Sequence, residues 1–364
     1  MTHRIHNFSA GPACLPEEVL CEIRDEMLDW HGSGMSVLEM PFSCPEYRAI
    51  AAAAERDLRE LLAVPESHRI LFLQGGAYAH FGLLAMNLLA PGRSADYLVT
   101  GLWSARALAQ AQRHGTARSA ASGAQGGYRG IPPRECWQLD PNAVYCHLTT
   151  NETAHGVQFS ELPDTGAVPL IADVTSDFLT RPIEFSRCGL LYASAQKNAG
   201  CAGLTVVLVR EDLLRDPAVA VPPAFDYRRQ AGSKGCVNTP PTFGVYCAGL
   251  MFAWMRRNGG VPAFAQTAAR RSARLYEVID GSPLYHCPVA PASRSQVNVC
   301  FRLPGAELEH EFLDEAARHG LHHLEGHAAA GGIRVSLHNA TPESSVEALL
   351  AFLRQFAARR PAAG

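Results

Sequence analysis

Apolar and polar residues follow two different periods along this chain. Short apolar runs predict buried strands, and segments in which apolar residues recur every three or four positions predict helices. The predicted strands cover residues 69–73, 97–100, 144–149, 168–172, 189–195 and 204–209, and the first predicted helices cover 15–30, 45–62, 81–89 and 105–114. Because strands alternate with helices, the pattern predicts an α/β fold with a mostly parallel sheet and helices on both faces.

The second half of the chain continues with helices and then changes character. Helices are predicted at 242–257 and 262–279, followed by a strand at 296–303, a helix at 306–319, a strand at 333–337 and a helix at 342–358. This short alternation predicts a small α+β unit, which the helix at 262–279 would connect to the first. Residues 117–130 are rich in Gly, Ser and Ala and predict a loop.

Composition narrows the class of protein. The 364 residues are 47% hydrophobic and 18% charged, with a formal net charge of −3, which is typical of a folded globular protein with no electrostatic preference for nucleic acid or a membrane. We see neither a signal-peptide pattern nor an apolar run long enough to span a bilayer. Eleven cysteines are scattered without a C-x-x-C pair, and we therefore expect reduced thiols and a cytoplasmic protein.

Several side chains with chemical potential follow the predicted strands directly. Tyr78, Trp103, Thr153, Asp173 and Lys197 each come just after one. Ligands of open α/β sheets bind beyond the carboxyl ends of the strands, so these five side chains can converge on one site.

Asp173 and Lys197 are the pair that a pyridoxal phosphate enzyme needs. The lysine forms the Schiff base, and the carboxylate keeps the pyridine nitrogen protonated. Lys197 lies between two apolar strands and is followed by glycines, which favours a lysine directed into a site over one on the surface. Taken alone, Asp173 could equally be a helix N-cap.

The other residues of the predicted site are weaker signals individually. The segment 74–78, Gln-Gly-Gly-Ala-Tyr, opens a helix after a strand and could bind a phosphate with its backbone N–H groups, although an ordinary tight turn has the same appearance. Trp103 could stack on a planar ring or belong to the core. Thr153 could donate a hydrogen bond to a ring oxygen or be a turn residue.

The C-terminal third contains a group of histidines and one informative arginine. The histidines are His319, His322, His323, His327 and His338. Zinc is the obvious hypothesis, but glycines at 326, 331 and 332 interrupt any helix that would align them, and we predict no metal site. Arg334 begins a predicted strand, and its planar guanidinium suits a substrate carboxylate.

Taken together, these residues resemble the phosphoserine aminotransferase family of class V, fold-type I pyridoxal phosphate enzymes. The resemblance runs nearly end to end. It is carried by Asn7-Phe-Ser-Ala-Gly-Pro-Ala, Asn151-Glu-Thr-Ala-His-Gly, Ala195-Gln-Lys-Asn, Asn238-Thr-Pro-Pro-Thr-Phe and Gly331-Gly-Ile-Arg.

The resemblance implies an architecture and an activity. A large cofactor domain at residues 16–260 would contain a mostly parallel seven-stranded sheet, and residues 1–15 and 261–364 would form a small α+β domain. The activity implied is amino-group transfer between an amino acid and a 2-oxo acid, in serine biosynthesis, by a homodimer with its active site at the subunit interface.

The resemblance also implies roles for individual residues. Lys197 and Asp173 would be catalytic. The cofactor would contact Gly76, Ala77, Tyr78, Trp103, Thr153, Asp173, Gln196 and Lys197, together with Asn238 and Thr239 from the other subunit. The substrate would contact Arg334, His327, Phe42 and Ser43.

Four positions depart from the family pattern. Phe42 and Ser43 replace a His-Arg pair, Tyr78 replaces an arginine, and Ala328 replaces the arginine that follows His327. A charge-assisted hydrogen bond contributes about 1.5–3 kcal/mol, so the loss of three guanidinium groups predicts phosphoserine binding weakened by several factors of ten. We find no compensating cation in the sequence and expect an altered, non-phosphorylated substrate scope with a neutral side chain.

Two other functions remain open at this point. The same fold carries β-elimination, β-replacement and other lyase-type reactions, which the cofactor residues alone do not exclude. Cysteine desulfurases of the same class typically have a histidine before the Schiff-base lysine, where this chain has Gln196. A non-catalytic relative is the third hypothesis, and the retention of Lys197 and Asp173 counts against it.

Overall fold

A computed structural model describes residues 4–360. Within that range the helices are α1 (Glu17–Asp25), α2 (Pro45–Leu62), α3 (Gly76–Leu88), α4 (Leu102–Ala111), α5 (Tyr227–Gly232), α6 (Thr242–Arg257), α7 (Gly260–Asp280), α8 (Ala306–Arg318) and α9 (Glu343–Ala358). The strands are β1 (His6–Asn7), β2 (His68–Gln74), β3 (Ser94–Val99), β4 (Thr116–Ser122), β5 (Cys146–Thr149), β6 (Asn151–Glu152), β7 (Val157–Gln158), β8 (Leu170–Asp173), β9 (Cys188–Ser194), β10 (Leu204–Arg210), β11 (Asn298–Phe301), β12 (Leu321–His322) and β13 (Ile333–Ser336).

Seven of these strands form one sheet. Their order is β2-β10-β9-β8-β5-β3-β4. β10 runs antiparallel to both of its neighbours, whereas the other adjacent pairs are parallel. The prediction of an α/β fold with a mostly parallel seven-stranded sheet is confirmed.

Burial on both faces explains why the central strands read as continuous apolar runs. All residues of β8 and β9 are buried, as expected for strands covered by helices on each side. One face packs in a core with residues of α2 and α6, and the other in a core with residues of α3 and α4.

Local sequence signals predict the ends of some helices correctly and those of others incorrectly. α2 matches its predicted range of 45–62, because a proline occupies its first turn and Ala63 leaves the helix in the left-handed region at φ 50°. The helix predicted at 15–30 stops at Asp25 instead. Leu28 is 85% exposed, so the apolar periodicity beyond α1 does not continue its buried face.

The loop predicted at 117–130 is wrong over its first part. β4 occupies Thr116–Ser122 and pairs in parallel with β3 at the edge of the sheet. Its buried residues Ala117, Ala120 and Ala121 are small, so the strand lacks the β-branched and aromatic signature that sequence patterns rely on.

A separate core lies in the C-terminal part of the chain. It contains Phe8 together with apolar residues from 275 to 356. β1 joins this unit by pairing with β12, His6 opposite Leu321. α7 contributes Val261 and Phe264 to the first core and Leu275 and Ile279 to this one. The domain boundaries at 15/16 and 260/261 stay predictions.

Among residues 4–360, no helix combines the length and the apolar character that a bilayer crossing requires.

Candidate active site

A cavity of about 400 Å³ opens beyond the carboxyl ends of β5, β8 and β9. Its walls include most of the predicted site residues: Ala77, Tyr78, Trp103, Thr153, Asp173, Gln196, Lys197, His327 and Arg334. The fold therefore brings together side chains separated by more than 250 positions, at the edge where parallel sheets bind ligands.

Lys197 projects into this cavity from the turn that follows β9. Its Nζ donates a hydrogen bond to Thr153 Oγ1 at 2.6 Å. Burial lowers the pKa of Lys197 to about 8, against the opposing charge of Asp173. Gly11 packs over the lysine stem so closely that a Cβ there would be 3.3 Å from Lys197 Cγ, and Gly11 has φ +145°. A lysine with a lowered pKa is a better nucleophile and proton carrier near neutral pH.

Asp173 ends β8 at the same edge. The backbone N–H of Thr175 donates to its Oδ1 at 2.9 Å, which fixes the orientation of the carboxylate. Burial raises the pKa of Asp173, while the hydrogen bonds from Thr175 and the charge of Lys197 act in the opposite direction. The result is a buried, oriented carboxylate facing a cavity that also contains the lysine.

The amino end of α3 forms another wall. Gly75 and Gly76 adopt φ values of +105° and +70°, which the tight turn from β2 into the helix requires. The Ala77 N–H donates to Ser194 Oγ at the end of β9, so the first turn of α3 is fixed to the sheet. Ala77 and Tyr78 line the cavity, and a helix amino end in this position favours an anionic group.

A buried glutamate that the sequence analysis did not single out holds Trp103 in place. Glu152 accepts hydrogen bonds from the backbone N–H groups of Trp103 and Ser104, both at 2.9 Å, and from Ser104 Oγ at 2.5 Å. Burial raises the pKa of Glu152 to about 7 despite these hydrogen bonds. Its carboxylate caps the amino end of α4, and the only sequence signal was its place beside Thr153 after a strand.

The C-terminal unit closes the cavity with Arg334 and His327. Arg334 lies on β13, its Nε is buried, and no described residue accepts a hydrogen bond from that nitrogen. Burial lowers the pKa of Arg334. The His327 ring meets Trp103 edge to face at 5.9 Å between ring centroids. A half-buried guanidinium with an unused, buried Nε donor fits a carboxylate ligand.

A second guanidinium, which the sequence pattern did not indicate, lines the same cavity. Arg106 lies on α4, one turn after Trp103, with its guanidinium carbon 5.0 Å from the centroid of the Trp103 ring. Arg106 and Arg334 both lower the pKa of His327, after the larger effect of burial. No sequence signal marks Arg106, because only the helical phase set by the capped α4 turns this side chain toward the cavity.

Besides Gly76, which precedes Ala77 in the turn into α3, four predicted residues lie outside the cavity of their own chain. Phe42 and Ser43 line a separate groove against α2. Thr239 accepts a hydrogen bond from Gln74 Nε2 at 2.8 Å through its carbonyl, and Asn238 Oδ1 accepts one from Gln230 Nε2 at 3.4 Å. For these four residues, a role at a Lys197 site requires a second subunit.

The residues present fit pyridoxal phosphate. The cavity combines a buried lysine of lowered pKa, an oriented buried carboxylate, a helix amino end and a tryptophan. These are the groups that suit the aldehyde, the pyridine nitrogen, the phosphate and the ring face, respectively. Within residues 4–360, no group of three His, Cys, Asp or Glu side chains has an arrangement suited to a metal.

Comparison with known proteins points to one family. The model of the Aminotransferase class-V family matches residues 5–349. The phosphoserine aminotransferase of Laribacter hongkongensis is 49% identical over 356 residues, which cover 98% of this chain and 99% of the relative. The solved structure of phosphoserine aminotransferase from Bacillus circulans subsp. alkalophilus superimposes with a TM-score of 0.96 at 41% identity, covering 99% of this chain and all of the other.

One solved relative is described with the cofactor bound. The pyridoxal phosphate-bound phosphoserine aminotransferase of Trichomonas vaginalis is 36% identical and has a TM-score of 0.93, with 96% of this chain and all of the other covered. Neither the altered substrate scope nor the lyase reaction finds support in these similarities.

Proposed function

Because the chain belongs to the aminotransferase class-V family and is a pyridoxal phosphate-dependent aminotransferase, we propose that it exchanges amino groups between an amino acid and a 2-oxo acid by the reaction for which its phosphoserine aminotransferase relatives are named. The observation that carries the proposal is the cavity in which Lys197 donates to Thr153 at 2.6 Å and which Asp173 and Arg334 also line. The wider setting in serine biosynthesis, a cytoplasmic location and a homodimer belong to the same proposal.

We assign the cofactor contacts as follows. When bound, pyridoxal phosphate supplies a carbonyl that reacts with amines and a ring that withdraws electrons from the substrate. Lys197 would hold the cofactor through its Nζ and would act as the proton carrier of the site, a role that its pKa of about 8 suits. Asp173 binds the pyridine nitrogen, Trp103 covers the ring, and Thr153 donates to the ring oxygen.

The phosphate contacts come from two directions in this proposal. Gly76, Ala77 and Gln196 hold the phosphate from the same chain, Tyr78 lies beside them as a further cofactor contact, and the amino end of α3 supplies the favourable field. Asn238 and Thr239 reach it from the second subunit, since both lie outside the cavity of their own chain. Arg334 binds the substrate α-carboxylate, supported by its buried Nε without a partner in the described chain.

Phosphoserine is the first substrate to test, because the relatives are named for it. A non-phosphorylated amino acid is the second candidate. It is favoured by the cavity wall itself, where Tyr78, 54% exposed, stands in place of a family arginine. In a dimer, Phe42 and Ser43 would bring an apolar ring and a hydroxyl where the family has two cations.

A single-turnover experiment tests the reaction. The purified enzyme with pyridoxal phosphate is mixed with phosphoserine, glutamate or alanine, one at a time, and 2-oxo acid and ammonia are quantified. We expect one 2-oxo acid per subunit and no ammonia, because an aminotransferase would retain the amino group until an acceptor arrives. Continuous release of ammonia would instead demonstrate elimination and refute the aminotransferase assignment.

A variant separates the two substrate candidates. Replacing Phe42→His, Ser43→Arg, Tyr78→Arg and Ala328→Arg restores the family charges. If the natural substrate is non-phosphorylated, this variant raises the rate with phosphoserine at least tenfold over the parent. A parent enzyme that already uses phosphoserine efficiently excludes the altered scope.

A further inference from the structure

The guanidinium of Arg106 has no anionic partner among residues 4–360. Over residues 4–360, no carboxylate comes within ion-pair distance of its guanidinium, and the guanidinium donates no hydrogen bond to another side chain or to the backbone. Most arginines among residues 4–360 instead have a polar partner, as in the pairs Arg210–Asp212 and Arg274–Glu347. A half-buried guanidinium that lines a cavity without a partner is available to a ligand.

The position of Arg106 is well defined by its surroundings. Glu152 fixes the first turn of α4, from which Trp103 and Arg106 project on one face at a spacing of three residues. The guanidinium lies over the Trp103 ring at 5.0 Å, a cation–π contact that holds the side chain without using its N–H donors. Those donors remain free to bind an anion.

The charges that line the cavity point to a ligand with two anionic groups. Arg334 and Arg106 contribute two guanidiniums, and His327 contacts the tryptophan that lies beside Arg106. The acidic side chain on the wall, Asp173, is already bound by Thr175. A neutral substrate side chain would leave Arg106 facing the cavity with no anion.

We propose that Arg106 determines substrate specificity by binding an anionic group, carboxylate or phosphate, at the end of the substrate side chain, while Arg334 binds the α-carboxylate. This inference rests on the proposed function and makes it more specific: the substrate is an acidic amino acid. It also gives the site a cation in place of those missing at positions 43, 78 and 328. Bidentate guanidinium contacts suit both carboxylate and phosphate.

Substitution of Arg106 tests the proposal directly. Arg106→Met keeps an unbranched stem against Trp103 and removes the charge, Arg106→Lys keeps the charge without the fork, and Arg113→Met on the exposed end of the same segment is the matched control. Single-turnover rate constants are measured with phosphoserine, glutamate and alanine. Because the methyl group of alanine carries no anion, its rate is the internal reference for the integrity of the site.

We expect Arg106→Met to lower the ratio of the glutamate or phosphoserine rate to the alanine rate by about 10- to 100-fold, as the loss of one charge-assisted contact predicts. Arg106→Lys falls between Arg106→Met and the parent, and Arg113→Met leaves the ratio as it is. Whichever of the two acidic substrates loses more identifies the terminal group as carboxylate or phosphate.

A binding measurement is independent of turnover. Calorimetric titration with glutarate, a dicarboxylate that cannot react, and with butyrate, which has one carboxylate, reports the second anion site alone. The parent is expected to bind glutarate at least tenfold more tightly than butyrate, and Arg106→Met is expected to remove that preference.

The outcomes separate this inference from the proposed function. Equal losses for all three amino acids, or an unchanged ratio in Arg106→Met, would overturn the role of Arg106. A parent enzyme that converts alanine but neither acidic substrate would also overturn it, while the aminotransferase reaction stands. If the parent enzyme converts none of the three amino acids, the proposed function itself is refuted.

Discussion

Gly101 is a residue at which a single added methyl group should disturb the site strongly. The glycine precedes α4 with φ −179°, an extended conformation that alanine adopts freely, so backbone strain plays no part. A Cβ at this position would lie 2.5 Å from Glu152 Cδ and 2.6 Å from both Cγ and Oε2. Ordinary contacts are about 1 Å longer, so in Gly101→Ala the buried carboxylate must move.

The cost follows from the hydrogen bonds that Glu152 makes. Its two oxygens accept three hydrogen bonds of 2.5–2.9 Å from Trp103 and Ser104. Each hydrogen bond to a charged group contributes about 1.5–3 kcal/mol, and part of the loss is recovered when the groups rearrange. We expect Gly101→Ala to lower the free energy of unfolding by about 3–5 kcal/mol, and the cofactor affinity to fall because Trp103 shifts.

Urea denaturation of four proteins tests this reasoning. They are the parent, Gly101→Ala, Glu152→Ala and the double variant, with Gly232→Ala as a control at a glycine whose added Cβ meets nothing within 4 Å. If the clash is with Glu152, the methyl group should cost under about 1 kcal/mol in the Glu152→Ala background. A full cost in that background, or a cost of Gly101→Ala no larger than that of the control, would refute the argument.

Two further predictions concern ionisable groups. The chain contains two lysines, Lys197 and Lys234. Lys197→Ala is expected to lose turnover and the visible absorption of the covalently held cofactor at an unchanged unfolding midpoint, whereas Lys234→Ala keeps the turnover, the absorption and the midpoint of the parent. A Lys197→Ala protein with the parent spectrum would exclude our assignment. Burial lowers the pKa of His147 to about 3, below its value of about 6.5 in the unfolded chain. As pH falls, the unfolded chain therefore binds the proton first. The native state loses stability between about pH 6.5 and pH 3. This loss amounts to roughly 3–5 kcal/mol, and His147→Gln should flatten the measured pH dependence of unfolding; an equally steep dependence in that variant would contradict the prediction.

Strong local patterns explain what could be predicted of the fold. α2 and α6 were predicted at their observed ends, because each begins at or just after a proline and carries a regular apolar face. β8, β9 and β10 were found as apolar runs because both faces of each are buried. β4 was missed because its buried residues are alanines, whose role as an edge strand depends on the neighbouring β3 and not on their own β-propensity.

The site residues also fall into those that could be predicted from the sequence and those that could not. Asp173 and Lys197 could be predicted because chemistry restricts which residues follow a strand in this kind of sheet. Glu152 and Arg106 could not, since their importance comes from contacts with α4 that are set by tertiary packing. Phe42 and Ser43 illustrate the opposite case: a family motif places them near a substrate, while their own chain places them against α2.

The pairing of β1 with β12 has a consequence for the order of events during synthesis. Ala10 and Gly11, just beyond β1, line the cavity, yet His6 finds its partner only at Leu321. A nascent chain can therefore complete the seven-stranded sheet, with Lys197 in place, while the wall above that lysine is still missing. Contacts between residues so distant in sequence form late, so the cavity acquires its final shape only when nearly the whole chain has left the ribosome.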